Sequence, residues 1–206
     1  MKRPGYAPPC APQQFPRLWN RNKSLSFVDM WALIQRNQVF NPLFPPGLLA
    51  GLFWEETMFT NRRQEGGPAV GFGQIQVRDW GWKLAKYDPR YASETAVLGD
   101  DDFSVHYTSF ALNYLTSEEH RDLENSLRVY AGVDSRPVNK DAVTRWKRCR
   151  DLLLAANFTS EAVKTALMAA KPMNDGPWYE DFWNFVLRGL PSAQLAAGME
   201  AAISEN

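Results

Sequence analysis

The sequence has no excess of charge of either sign. Its 206 residues include 23 Lys and Arg and 23 Asp and Glu, so the formal net charge at pH 7 is zero. Proteins that bind nucleic acids usually carry a basic excess that neutralises phosphate groups. The balance of charge therefore argues against DNA and RNA, and we expect no nucleic-acid partner.

Cysteine and histidine are also scarce. The cysteines Cys10 and Cys149 allow at most one disulfide bond, and no metal-ligand pattern surrounds the histidines His106 and His120. The sequence has no glycine-rich phosphate-binding motif. It therefore predicts no metal site and no cofactor. Basic neighbours would lower the pKa of the Cys149 thiol, but no histidine lies near it in sequence to support a nucleophilic role.

The chain also lacks a long apolar run. No stretch reaches the roughly 18 consecutive apolar residues that a membrane helix needs. The first residues carry two positive charges but continue into prolines instead of the apolar core of a signal peptide. We therefore expect synthesis in the cytoplasm without a Sec signal peptide, and no membrane span.

What the sequence does contain is a composition typical of a packed domain, 45% hydrophobic and 13% aromatic. Five prolines among the first 16 residues predict an extended N-terminal arm over residues 1–23. A folded domain is expected over residues 24–158. Residues 159–206 are expected to form a helical C-terminal extension packed on that domain.

Helical periodicity recurs along the domain and the extension. The first helix is expected to begin at Ser26, whose hydroxyl can cap it, and to end before Asn41. Further helices are expected over residues 48–59, 103–115, 123–130, 143–158, 160–170, 178–190 and 192–203. Residues 70–77 predict a strand or an extended turn, and residues 79–101 predict a loop-rich segment. The predicted fold class is mainly α with one small extended element.

Two adjacent glutamates lie near the C-terminal end of the nearly all-apolar helix expected over residues 48–59, where the helix dipole disfavours negative charge. At 100° per residue, Glu56 lies at the centre of an apolar arc and Glu55 at its edge; the arc is formed by Leu49, Leu52, Phe53 and Phe59. An apolar environment raises the pKa of a carboxyl group, as a general acid requires. Alternatively, both are ordinary helix residues, one solvated and one capping or paired with Arg62 or Arg63.

A second segment adds a family resemblance. Glu56-Thr57-Met58-Phe59, followed by Gly71-Phe72-Gly73-Gln74-Ile75, resembles the Glu-Ser-x-Phe and Gly-Leu-Met-Gln motifs of lytic transglycosylases and goose-type lysozymes. The resemblance covers about residues 27–150 and implies a lysozyme-like α+β catalytic domain, with its small extended element beside an active-site groove. It also implies that Glu56 is the catalytic residue and that the groove residues that bind substrate are Gly71, Phe72, Gly73 and Gln74.

The resemblance continues more weakly downstream. Residues 102–115 look like the next family helix, and residues 127–132 are similar to the family's Tyr-Asn-Ala-Gly motif with its Asn missing. Tyr130 is accordingly a substrate-binding candidate, or else a tyrosine that packs at a helix end. Trp80 and Trp82 also lie beside these motifs, where flat rings could stack on sugar rings.

The activity implied by the resemblance is cleavage of peptidoglycan glycan strands. As a lytic transglycosylase, the chain would use Glu56 to protonate the β-1,4 glycosidic oxygen between N-acetylmuramic acid and N-acetylglucosamine, and then to deprotonate the muramic C6 hydroxyl. The product carries a 1,6-anhydro end. A hydrolytic lysozyme would need a second carboxylate, for which Asp79 is a better candidate than the acidic triplet at residues 100–102, which is more typical of a solvated turn.

A third alternative is a non-catalytic protein that binds glycans or docks on the cell wall. In each case the site of action would be the cell wall in the periplasm, reached without a Sec signal. Phage-directed lysis, assembly into a virion or a contact-dependent secretion system would provide the delivery machinery. The last route predicts an immunity or inhibitor protein that blocks the groove.

Overall fold

The computed structural model describes residues 23–133, 139–171 and 180–193. This part of the chain is mainly helical, which confirms the predicted class. Its α-helices in chain order are α1 (Phe27–Asn37), α2 (Pro46–Thr57), α3 (Val77–Leu84), α4 (Glu94–Gly99), α5 (Asp101–Ser117), α6 (Leu123–Ala131), α7 (Ala142–Ala155), α8 (Ser160–Ala170) and α9 (Glu180–Val186). Nearly all of the predicted N-terminal arm and of the last predicted helix lies outside the described residues.

The helix α1 begins where Ser26 predicts, and α2 begins at Pro46, two residues before the predicted start. Ser26 caps α1, because its side-chain oxygen accepts a 3.2 Å hydrogen bond from the backbone N–H of Asp29. Pro46 occupies the first position of α2, where its missing N–H costs nothing. The helix α2 ends at Thr57, and the chain turns away through Met58 and Phe59, which both adopt left-handed backbone conformations.

The extended element over residues 70–77 is a tight turn. The backbone groups of Val70 and Ile75 exchange two hydrogen bonds, of 3.0 and 2.8 Å, and so enclose the turn at residues 71–74. Val70 also forms an antiparallel bridge with Arg63. The helix α3 begins at Val77, directly after this element.

The prediction of a loop-rich segment over residues 79–101 is wrong. This segment contains most of α3, a 3₁₀ helix (Pro89–Ala92) and α4. Gly81 allows α3 to pack on the 3₁₀ helix, since a Cβ atom there would lie 2.9 Å from the carbonyl oxygen of Tyr91. The acidic triplet is not a turn either, because Asp100 caps α5 by accepting a 3.0 Å hydrogen bond from Phe103 and the next two acids lie in the first turn.

The helix α2 lies at the centre of the larger of two hydrophobic clusters, and every residue from Gly47 to Trp54 is buried. It packs on α1, α7 and α8. The Trp54 ring lies 5.8 Å from Phe182 and 5.7 Å from Trp183, both in α9, so α8 and α9 cover α2 instead of forming a separate core. The smaller cluster lies beneath α3, α4 and α5.

No helix within the described ranges combines the length and apolar character needed to cross a membrane.

Candidate active site

A groove in two connected sections runs past the end of α2. The inner section has a volume of about 140 Å³, and its lining includes Glu56, Gly73, Gln74 and Tyr130. The outer section has a volume of about 420 Å³ and is lined from the turn, from α3 and from the end of α6. The two sections share Gln74, Gln76, Tyr130 and Ala131. The structure therefore brings the predicted acid together with three of the five predicted substrate-binding residues.

Glu56 is half-buried and opens into the inner section. Burial, and next the negative charge of Glu55, raise its pKa to about 7, against the opposing effect of three basic side chains, those of Lys171, Arg145 and Arg62. Within the described part of the chain, no basic side chain forms an ion pair with Glu56. A carboxyl group with this pKa is partly protonated at neutral pH, and its protonated form can donate the proton.

Glu55 faces a different set of groups. Its Oε1 atom accepts a 2.6 Å hydrogen bond from Nη2 of Arg145 in α7, and its backbone carbonyl oxygen accepts a 2.8 Å hydrogen bond from Nζ of Lys171. The alternative in which one of the two glutamates pairs with Arg62 or Arg63 is wrong for the described residues: Glu55 pairs with Arg145, Arg63 pairs with Glu94 at 2.6 Å, and Arg62 forms no ion pair with either glutamate. Glu55 is therefore held in an ion pair on the side of α2 that faces α7.

The first two residues of the predicted substrate-binding turn do not line the groove. Phe72 has no exposed surface, and its ring lies 6.0 Å from that of Phe53 in the core. Its carbonyl oxygen accepts a 3.1 Å hydrogen bond from Thr57, and its N–H donates one of 3.1 Å to Ser104. Gly71 is buried with φ of 84°, and a Cβ atom there would lie 2.6 Å from Ser104 Oγ. The role predicted for Phe72 and Gly71 is corrected to anchoring the turn on α2 and α5.

Gly73 is needed for a contact within the protein. A Cβ atom at this position would lie 2.3 Å from Thr108 Oγ1 and 2.5 Å from the Tyr130 hydroxyl. The Tyr130 hydroxyl donates a 2.8 Å hydrogen bond to the Gly73 carbonyl oxygen, and burial raises the pKa of Tyr130 above its usual range. Glycine is therefore required here because side chains from α5 and α6 occupy the space that a Cβ atom would need.

Gln74 has a structural role in addition to its place in the groove. Its backbone adopts a left-handed conformation with φ of 50°. Its Nε2 atom donates hydrogen bonds of 3.1 Å to the Arg62 carbonyl oxygen and 2.9 Å to that of Gly71. The side chain therefore closes its own turn and ties the turn to the segment that follows α2.

Of the tryptophans beside the motifs, one lies in the groove. Trp80 is half-buried in the outer section, with its ring 6.1 Å from that of Tyr130. Trp82 is 74% exposed and is not part of either section's lining. Because the two are neighbours on α3 that point about 200° apart, the helix can direct only one of them into the groove.

Asp79, the second carboxylate of the hydrolytic alternative, lines the outer section. It forms a 3.3 Å ion pair with Arg78, and about half of its side chain is exposed. The acidic triplet lies elsewhere: Asp102 binds Arg36 at 2.7 Å, and Asp101 accepts a 2.8 Å hydrogen bond from Asn61. Asp79 is thus the acid other than Glu56 that the structure places in the groove.

The sequence-based reasoning missed three amide side chains in the inner section, those of Gln64, Gln76 and Asn139. Gln76 follows Gln74 by two residues, so the alternation of the extended element could have placed both on one face. Gln64 folds over Gly67, and Asn139 donates a 2.6 Å hydrogen bond to the Ala131 carbonyl oxygen. No sequence motif marks these last two, because chain folding brings them to Glu56 from separate loops.

Cys149 lies outside the groove, on the face of α7 that packs against Gly51. Burial, and next the negative charge of Glu55, raise the pKa of its thiol to about 12, so the expected lowering by basic neighbours is wrong. Among the described residues, no three Cys, His, Asp or Glu side chains gather into a group that could hold a metal ion.

No protein-family model matches the chain, and no curated protein or solved structure matches it.

Proposed function

We propose that this chain is a muramidase that cleaves peptidoglycan as a lytic transglycosylase, with Glu56 as its acid and base. The observation that carries this proposal is the state of Glu56, a carboxyl group of pKa about 7 that opens into a groove. An ordinary glutamate is ionised at neutral pH and cannot act as an acid. Lytic transglycosylases and goose-type lysozymes, which the motifs resemble, place their catalytic glutamate at the corresponding position.

The mechanism needs one carboxyl group in two protonation states. Protonated Glu56 donates its proton to the β-1,4 glycosidic oxygen between N-acetylmuramic acid and N-acetylglucosamine, and the C1–O bond breaks. The resulting carboxylate then accepts the proton of the muramic C6 hydroxyl while the C6 oxygen bonds to C1. The product is a 1,6-anhydro sugar, Glu56 is again protonated, and water is not consumed.

The lining of the inner section suits an uncharged sugar. Around Glu56 it contains four amide side chains, those of Gln64, Gln74, Gln76 and Asn139, and it contains no basic side chain. Amide groups both donate and accept hydrogen bonds, which matches hydroxyl and acetamido groups. In the outer section, the rings of Trp80 and Tyr130 provide flat surfaces for pyranose faces.

Hydrolysis by a lysozyme mechanism is the second candidate, and the position of Asp79 favours it. Asp79 and Glu56 line neighbouring sections of one groove that share Gln74 and Tyr130. A carboxylate on the opposite side of the sugar could activate water for attack on C1. The products differ, since hydrolysis leaves reducing ends where transglycosylation leaves 1,6-anhydro ends.

The proposal also gives the partners. The substrate is the glycan strand of the cell wall, reached by lysis or by non-Sec delivery machinery. A protein that protects the producing cell would bind over the groove and cover Glu56.

The test is digestion of purified sacculi by the full chain, with mass spectrometry of the released muropeptides. We expect anhydro products, loss of release for Glu56→Gln, and release near the unaltered level for Glu118→Gln, a matched change at an exposed glutamate. Reducing-end products that disappear in Asp79→Asn would establish the lysozyme alternative. Binding to sacculi without any release would overturn both and favour a glycan-binding protein.

A further inference from the structure

Glu55 and Glu56 are consecutive, but their side chains have different surroundings. Neighbours on a helix point about 100° apart, so Glu56 opens into the groove while Glu55 faces α7 and the end of α8. The mechanism proposed above uses Glu56 alone. The reason for a second acid beside it, at the helix end that disfavours negative charge, has to come from the groups around Glu55.

Two of the basic residues that act electrostatically on Glu56 make their direct contacts with Glu55. Arg145 binds the Glu55 carboxylate at 2.6 Å, and Lys171 binds the Glu55 backbone carbonyl at 2.8 Å. The Glu55–Arg145 pair is partly buried, with 16% and 30% of the side chains exposed, so solvent screens it less than a surface pair. Arg145 is therefore a strong local cation whose position depends on Glu55.

We propose that Glu55 is a positioning residue: its carboxylate holds the guanidinium of Arg145 on the side of α2 that faces α7 and so keeps this cation from pairing with Glu56. The inference rests on the proposed function, because it gives Glu55 a task only if Glu56 must keep a proton. Without Glu55, Arg145 would lie beside a single remaining carboxyl group in a poorly hydrated site. The cation would then stabilise ionised Glu56 and remove the acid.

Groups on every element packed around the pair contribute to its charge state. They are Arg62 after α2, Tyr130 on α6, Arg145 and Cys149 on α7, and Lys171 at the end of α8. The Tyr130 and Cys149 groups are neutral near pH 7 because burial raises the pKa of each. The balance around Glu56 is therefore set by Glu55 against three cations, and removal of Glu55 or of Arg145 shifts it in opposite directions.

The experiment follows the titration of the Glu56 side-chain carboxyl by carbon-13 NMR in the full chain without substrate, with the signal assigned by its loss in Glu56→Gln. In Glu55→Gln we expect the midpoint to fall by about one unit or more, as an opposite charge a few ångströms away produces. In Arg145→Met we expect it to rise. The double variant should return towards the unaltered midpoint.

A matched control is Lys147→Met on the same helix, which breaks the Lys147–Glu124 pair at 2.9 Å and should leave the midpoint in place. An unchanged or raised midpoint in Glu55→Gln overturns the inference, and this isosteric variant decides alone if Arg145→Met does not fold. The expected shifts in a protein that releases nothing from sacculi would overturn the proposed function and leave the positioning role intact. Release of muropeptides with an unmoved midpoint would do the reverse.

Discussion

The Tyr130 hydroxyl group joins α6 to the turn at residues 71–74 through its 2.8 Å hydrogen bond to the Gly73 carbonyl oxygen. The Tyr130 ring packs against both hydrophobic clusters. One side chain thus connects the two parts of the core, fixes the turn and lines both sections of the groove. The lining of the groove and the stability of the fold therefore depend on the same residue.

Tyr130→Phe keeps the ring and removes the hydrogen bond. Because the Gly73 carbonyl group is then left without this donor in a buried turn, we expect the free energy of unfolding to fall by about 1–3 kcal/mol. Urea unfolding measures this change. Tyr87→Phe is the control, since Tyr87 is 48% exposed and should lose little. Equal losses in the two variants would contradict the bridging role of Tyr130.

Gly73→Ala places a methyl group where Thr108 and Tyr130 already lie, at 2.3 and 2.5 Å. The turn and the end of α6 must move apart, and we expect a loss of about 1–3 kcal/mol in the free energy of unfolding, as overpacking generally causes. Gly99→Ala is the matched control, because no atom of its surroundings lies within 4 Å of the position that the added methyl group would take. A stable Gly73→Ala protein would show that the turn has room that the structure does not indicate.

The pKa of Glu56 also has a consequence for stability. The carboxyl group titrates at 4.5 in an ordinary environment and at about 7 in the fold, so between these values the native state holds a proton that the unfolded state has released. The contribution of Glu56 is therefore complete below about pH 4.5 and is lost as the pH rises through 7. We therefore compare the urea midpoints of Glu56→Gln and of the unaltered protein at two pH values. The midpoint of the variant minus that of the unaltered protein should be larger at pH 8 than at pH 4. A difference between the two proteins that does not change with pH would contradict the raised pKa.

The two tryptophans of α3 offer a paired test of the outer section. Trp80→Ala removes a ring from the groove lining, and we expect binding of soluble N-acetylglucosamine oligomers to weaken on the order of tenfold, about the loss of one aromatic stacking contact with its buried area. Trp82→Ala changes a side chain outside this lining and should bind as before. Isothermal titration calorimetry measures both. A larger effect in Trp82→Ala would place the sugar on the other face of α3.

The sequence was sufficient to predict a helix or a buried position where local signals and the apolar pattern agree. Nearby residues specify the starts of two helices, through the Ser26 cap and the proline at the start of α2. They also specify the environment of Glu56, through the apolar arc on its helix. The helices after residue 79 were not predicted because α3 has no side-chain cap at Gln76 and contains Gly81, which disfavours a helix. The structure shows why glycine is present: Tyr91 packs closely against it. Short helices of this kind depend on tertiary contacts more than on their own propensity.

The motifs predicted Glu56 and three of the groove residues around it, but not the basic side chains that contact Glu55. Arg145 meets Glu55 across 90 residues of chain, and Lys171 meets it across 116. Side chains so far apart in sequence carry no periodic signal of their contact. Gly71 and Phe72 are predicted in the groove because the motif is one contiguous segment, whereas the turn directs its first two residues towards the core and its last two towards the groove.

The position of Lys171 has a further consequence for the order of events during synthesis. The ribosome makes α2 long before it makes the end of α8. The hydrogen bond from Lys171 to the Glu55 backbone carbonyl can therefore form only after residue 171 has been made. A nascent chain, or one cut short before this point, cannot assemble the surroundings of Glu56 that the complete structure shows. The surroundings of Glu56 are therefore complete only after residue 171 has been made.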